Sequence, residues 1–184
     1  MQAQPTLWRI HRTQGKHVIA WNGFRIFGPV AARYDPHPEP RGDHPGDGVS
    51  YTALDLETAA AEVFQATREI DTTAGAPFAT SWTPTRPLQL LDLTGDWALV
   101  NNAAASLAQA GRPTCRNWSR AIHQTWPDLD GLWAPSTMTG RPMVVLYEPA
   151  ASAMPAFPSF SEPLSAPVLW TVLARIAQDI GYQI

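Results

Sequence analysis

Apolar and polar residues alternate along LWRIHR at 7–12, the period of two that a half-buried strand requires. GVSYTAL at 48–54, LQLLDL at 88–93, GLWAP at 131–135 and MVVLYE at 143–148 read as further short strands. A helical period takes over after Asp55, where Leu56, Ala59, Ala60, Val63 and Phe64 fall on one stripe. Asp55 suits the N-cap, because its carboxylate can accept from the unpaired amides of the first turn. WALVNNAAASLAQA at 97–110 predicts a second helix ending at Gly111, and 117–126 a third, stopped before Pro127. A C-terminal helix follows at about 167–181. Short strands and scattered helices without regular βαβ alternation predict an α+β fold.

Of the 18 prolines, eight cluster at 35–48 and 148–163, and both stretches read as loops because proline lacks the backbone donor. At 184 residues the chain fits one domain, 1–184, and its 45% hydrophobic content supplies a core. A net charge of −3 argues against a general nucleic-acid binder, which needs a basic face, but leaves room for a small cationic pocket. One cysteine, Cys115, excludes an internal disulfide, and no Cys/His spacing suggests a metal site. No apolar run suggests a signal peptide or a membrane span, so a soluble, cytoplasmic chain is expected.

No phosphate-binding glycine loop, zinc motif or nucleophile elbow is present, so the candidate chemistry is dispersed. Arg9 sits between Trp8 and Ile10; if those two face the core, Arg9 points to solvent. Arg33 and Tyr34 stand in ARYDP before the first proline-rich stretch, and two arginines in a cleft are what a pyrophosphate needs. Tyr51 reads as a packed core tyrosine or a ring at a strand end, and Glu62 as a solvated glutamate or a pocket margin. Ser119 and Ser136 suit a helix start and a turn. His37 and His44 have no evident partners, and His123, alone on a short helix, reads as structural. Taken alone, these residues define a soluble α+β domain.

Their order resembles the RES domain, the toxin half of Xre–RES toxin–antitoxin systems. LWRIHR matches the opening aromatic–Arg strand, ARYDPH the arginine segment, YTALDLETAAAEVF the Tyr…Glu block, and NWSRAIHQTW with DLDGLWAPST the later serine segments. The resemblance runs from Arg9 to about Pro149, within a motif-bearing part of about 7–149. Ala31 and Ala32 depart from it, standing where many members carry glycines.

The resemblance implies an ADP-ribosyltransferase-like split, twisted β-sheet with flanking helices, and cleavage of NAD⁺ at the nicotinamide–ribose bond by water or phosphate. It implies no cofactor and no metal, NAD⁺ being the substrate and inorganic phosphate a conceivable co-substrate. It assigns Glu62, Arg33 and Ser119 to catalysis, and Arg9, Tyr51, Tyr34 and Ser136 to NAD⁺ binding. The family serine corresponds to either Ser119 or Ser136, with Ser119 preferred. A helix-turn-helix, Xre-like antitoxin is the implied partner, with no direct contact to nucleic acid or membrane. ADP-ribosyl transfer to a macromolecule, or an inactive binding domain, are the alternatives.

Overall fold

A computed structural model of the chain describes residues 1–104 and 106–184. Its strands are β1 (Gln2–Ala3), β2 (Leu7–Arg12), β3 (Phe27–Gly28), β4 (Gly42–Asp43), β5 (Val49–Ala53), β6 (Pro77–Trp82), β7 (Leu88–Asp92), β8 (Gly131–Pro135), β9 (Pro142–Tyr147) and β10 (Phe160–Pro163). The helices are α1 (Leu56–Val63), α2 (Trp97–Val100), α3 (Arg112–Thr125) and α4 (Pro167–Ile180). Eight strands form one mixed sheet in the order β1-β7-β8-β9-β5-β2-β6-β10, while β3 and β4 make a separate ribbon. Among the strand pairs of the described residues, only β7–β8 is parallel. The expected α+β class is what the chain adopts.

One irregularity in the sheet matters most. β2 runs beside β6 through six residue pairs, yet it meets β5 at a single pair, Trp8 opposite Ala53. Away from that point the two strands part, and the sheet splits. The split opens a space that side chains from both strands line.

Helix α1 begins as its sequence dictates: Asp55 accepts from Thr58 N at 2.6 Å. It buries Leu56, Ala59 and Ala60 against Ile10, Leu169 and Leu173. Val63 departs from the expected apolar stripe; it is 50% exposed and faces the opening instead of the core. Helix α3 starts five residues before the predicted 117, because Pro113 in the first turn needs no intrahelical amide partner. Helix α4 ends at Gly181, which takes the left-handed conformation at φ 70°.

The predicted helix at 97–110 is interrupted. It stops at Val100, Asn102 turns to φ 58°, and a short 3₁₀ turn resumes at Leu107–Gln109. Ala105, within that predicted helix, lies outside the described residues.

The proline-rich stretches hold more structure than loops. The first carries β4, and the second a 3₁₀ turn at Glu148–Ala153 followed by β10. Because β10 is an edge strand, its terminal Pro163 breaks no internal ladder. Gly131 opens β8 at φ +151°, and a Cβ there would lie 2.1 Å from Val145 O. Only glycine fits between β7 and β9 at that point.

Candidate active-site cleft

A cleft of about 290 Å³ opens beside the split, walled by Arg33 and Tyr34, Tyr51 of β5, Glu62 and Val63 of α1, and Met143 of β9. A smaller extension of about 40 Å³ shares Tyr51, Glu62 and Met143 and reaches Trp8 and Arg9 across the parted strands. Glu62, placed by the last turn of α1, borders both spaces.

The carboxylate of Glu62 is held from one side. Ser136 Oγ donates to Glu62 Oε1 at 2.6 Å, and Gln65 Nε2 lies 3.4 Å from Oε2. Ser136 is itself fixed, because its oxygen accepts from Met138 N at 3.1 Å and Thr139 N at 3.2 Å. The β8–β9 turn that carries it is tied to α1. Thr139 Oγ1 lies 3.1 Å from Thr58 Oγ1, and Arg141 pairs with Glu57 at 3.0 Å.

Ser119 has a different place from the one the resemblance preferred. It is wholly buried, donates to Tyr34 O at 2.9 Å, and sits 2.8 Å from the Tyr147 hydroxyl. It lies against the Tyr34 main chain and outside the cleft lining. The serine at the carboxylate is Ser136. Sequence offers two serines because each could serve a turn or helix start; it is the β8–β9 turn that brings Ser136, and not Ser119, beside Glu62.

Arg9 does not point to solvent. Its Nη1 reaches the carbonyls of Trp21 at 2.9 Å and Gly23 at 2.8 Å, and Ser50 Oγ at 2.9 Å across the split. Burial pulls its guanidinium pKa down to about 10. Trp8 and Ile10 do face the apolar core, but the opposite side of β2 meets the 20–23 turn where solvent was expected.

Arg33 bonds to the Ala110 carbonyl and lies 3.5 Å from Cys115 Sγ. Arg112, the first residue of α3, joins it on the cleft wall. Arg112 is a cleft residue that pattern reading missed; its signal was the Gly-Arg-Pro that opens the helix.

Tyr34, packed in the core, and the half-buried Tyr51 border the cleft, and their buried hydroxyls have no hydrogen-bond partner among the described residues. Burial raises both phenol pKa values, so both stay protonated at neutral pH.

His37 and His44, which showed no partners in sequence, pack together with rings 5.7 Å apart. His37 Nδ1 is bonded to the buried Asp35, whose other oxygen accepts from Val30 N. Burial alone would raise the Asp35 pKa, but these bonds and Arg25 at 3.6 Å outweigh it and hold it below the ordinary value. His123 sits 3.4 Å from Asp47. These pairs lie away from the cleft lining. Among the described residues no three His, Cys, Asp or Glu side chains are grouped to hold a metal ion. None of their helices is long and apolar enough to cross a membrane.

The fold and site define a mixed α+β domain whose split sheet exposes a hydrogen-bonded carboxylate between arginines and aromatic rings. The RES domain profile matches residues 6–167, and the chain belongs to that family. Among solved structures it is similar to the M. tuberculosis MbcT–MbcA toxin–antitoxin complex at a TM-score of 0.64 and 15% identity. That match covers 95% of this chain and 91% of the other, and it supports the fold. Among curated proteins there is no significant match.

Proposed function

We propose that this chain is a toxin that cleaves NAD⁺ at the nicotinamide–ribose bond. The observation that carries the reading is the Glu62 carboxylate, held by Ser136 at 2.6 Å on the edge of a cleft that arginines and tyrosines wall. RES membership and the likeness to a toxin–antitoxin complex support it.

Breaking the C1′–N bond sends its electron pair to nicotinamide, which leaves neutral. Positive charge gathers on the ribose, as in glycoside cleavage. A fixed carboxylate beside C1′ and the 2′-hydroxyl stabilises that charge more in the transition state than in the ground state. Nicotinamide departs from a cation, so no general acid is required. Arg33 and Arg112 form no ion pair among the described residues, leaving their charge for the pyrophosphate. The ring of the half-buried Tyr51 gives a flat surface for nicotinamide or its ribose, while the buried Tyr34 shapes the wall. An oxygen of water or inorganic phosphate then bonds to C1′ and releases its proton to solvent. Uncontrolled cleavage would deplete the producing cell, which calls for a neutralising partner of the Xre-like antitoxin type.

The test is incubation of purified protein with NAD⁺, with and without phosphate, followed by product identification. ADP-ribose indicates hydrolysis; ADP-ribose-1″-phosphate formed only with phosphate indicates phosphorolysis. Intact NAD⁺ in both removes the reading.

A further inference from the structure

Beyond the cleft lies a second concentration of positive charge. Arg112, Arg116 and Arg120 recur at every fourth residue of α3 and therefore share one face. Arg112 lines the cleft, whereas Arg116 and Arg120 line a separate open groove of about 520 Å³ with Arg41, Asn117 and Glu39. Ala31 borders both spaces, so the groove leads to the mouth of the cleft.

These guanidiniums are held but not neutralised. Arg116 donates to Val30 O at 3.3 Å, Arg41 lies over the Phe27 ring at 5.2 Å, and the buried Arg120 Nε has no partner. None of the three forms an ion pair among the described residues. In a chain of net charge −3, three uncompensated arginines in one groove mark a place for an anion.

Spacing selects the kind of anion. Four residues of helix advance about 6 Å. An extended polypeptide places alternate side chains on one side about 6.6 Å apart. Carboxylates at every second residue would therefore meet Arg116 and Arg120 in turn. A free phosphate needs donors that converge, and these are strung along a helix. A polynucleotide needs rings on which bases stack, and the groove lining has none.

We propose that the α3 groove is the docking surface for an extended acidic segment of a protein partner, laid so that its end closes the cleft at Ala31 and Arg112. The closing step rests on the reading of the cleft as an NAD⁺ site; the docking itself does not.

The experiment uses a short fluorescein-labelled peptide with glutamate at every second position, read by anisotropy against the full chain. Binding should be saturable, weaken with added salt, and fall at least about tenfold in Arg116→Glu/Arg120→Glu, the size expected when two charge contacts become repulsive. Arg175→Glu, on exposed α4, should bind as the parent does. Arg116→Gln/Arg120→Gln supplies a milder loss should the charge reversal fail to fold. Equal binding in all variants overturns the proposal, as does inorganic phosphate or a single-stranded oligonucleotide outcompeting the peptide at these arginines. NAD⁺ cleavage is followed in parallel. Cleavage blocked by saturating peptide supports closure. A chain that cleaves nothing yet binds the peptide through Arg116 and Arg120 keeps the docking surface and removes only the NAD⁺ reading.

Discussion

Ser136 Oγ gives its one proton to Glu62 Oε1 at 2.6 Å while its lone pairs receive two amides of its own turn, Met138 N and Thr139 N. A hydroxyl so surrounded has a single orientation. It leaves the other carboxylate oxygen, Oε2, with only the longer 3.4 Å contact to Gln65 Nε2, and so sets where in the cleft the negative charge is least satisfied.

Glu62→Gln keeps the size of that side chain and removes its charge. Under the proposed function NAD⁺ cleavage should fall about 100-fold or more, the effect of losing one preorganised electrostatic contact. Circular dichroism and the unfolding midpoint should change little, since Glu62 lies at the rim of the core. A fully active Glu62→Gln protein would show that some other group carries the chemistry.

The two serines should part company under the same treatment. Ser136→Ala removes a hydrogen bond to a charged acceptor, and should slow cleavage by roughly 10-fold or more with a small change in stability. Ser119→Ala leaves the buried Tyr147 hydroxyl and Tyr34 carbonyl short of a partner, at about 1–3 kcal/mol of stability. Its cleavage rate per folded molecule should stay near that of the parent. Denaturant titration paired with initial rates separates the cases; the reverse pattern would return Ser119 to the site.

Much of this arrangement was readable from pattern. Asp55 capping α1, the strand alternation in β2, and the Gly181 stop of α4 are local signals, and local physics set them. What pattern could not supply was tertiary. Arg9 looked solvent-facing because nothing in LWRIHR reveals that the 20–23 turn folds over it. β6 carries little strand signal, since PFATSW starts with proline and holds small polar residues, and β10 is masked by the proline-rich stretch around it. The two stabilise each other by pairing across some eighty residues, a contact no sequence window spans. Ser136 and Glu62 meet for the same reason: the turn after β8 is brought to α1 only when the sheet assembles.

Away from the cleft, Arg86 grips Asp130 with both nitrogens, at 2.7 and 2.8 Å, and the carboxylate also accepts from Gln89 N at 2.8 Å. Asp130 is 1% exposed, so it depends on these donors. Arg86→Ala strips the charged pair and leaves a buried carboxylate underbonded, which should cost about 2 kcal/mol after allowing for the partial exposure of Arg86. The unfolding midpoint should drop while NAD⁺ cleavage at low temperature is unaffected. An unchanged midpoint would mean that the Gln89 amide and water satisfy Asp130 unaided.

His11 gives the fold a dependence on pH with a definite sign. Burial, and then the nearby Arg9 charge, lower its pKa from 6.5 to about 4, while its Nε2 lies 3.1 Å from Thr80 Oγ1. Between those values the unfolded chain binds a proton that the folded chain refuses, so stability rises with pH across the interval. The contribution is therefore fully present above about pH 6.5, declines as the medium is acidified, and is lost as pH falls through about 4. His11→Gln retains a polar partner for Thr80 but cannot take up a proton. Denaturant midpoints measured at intervals across this window should show a shallower slope for His11→Gln than for the parent chain. Parallel slopes would assign the acid sensitivity to other groups, with the lowered pKa of the buried His123 next in line.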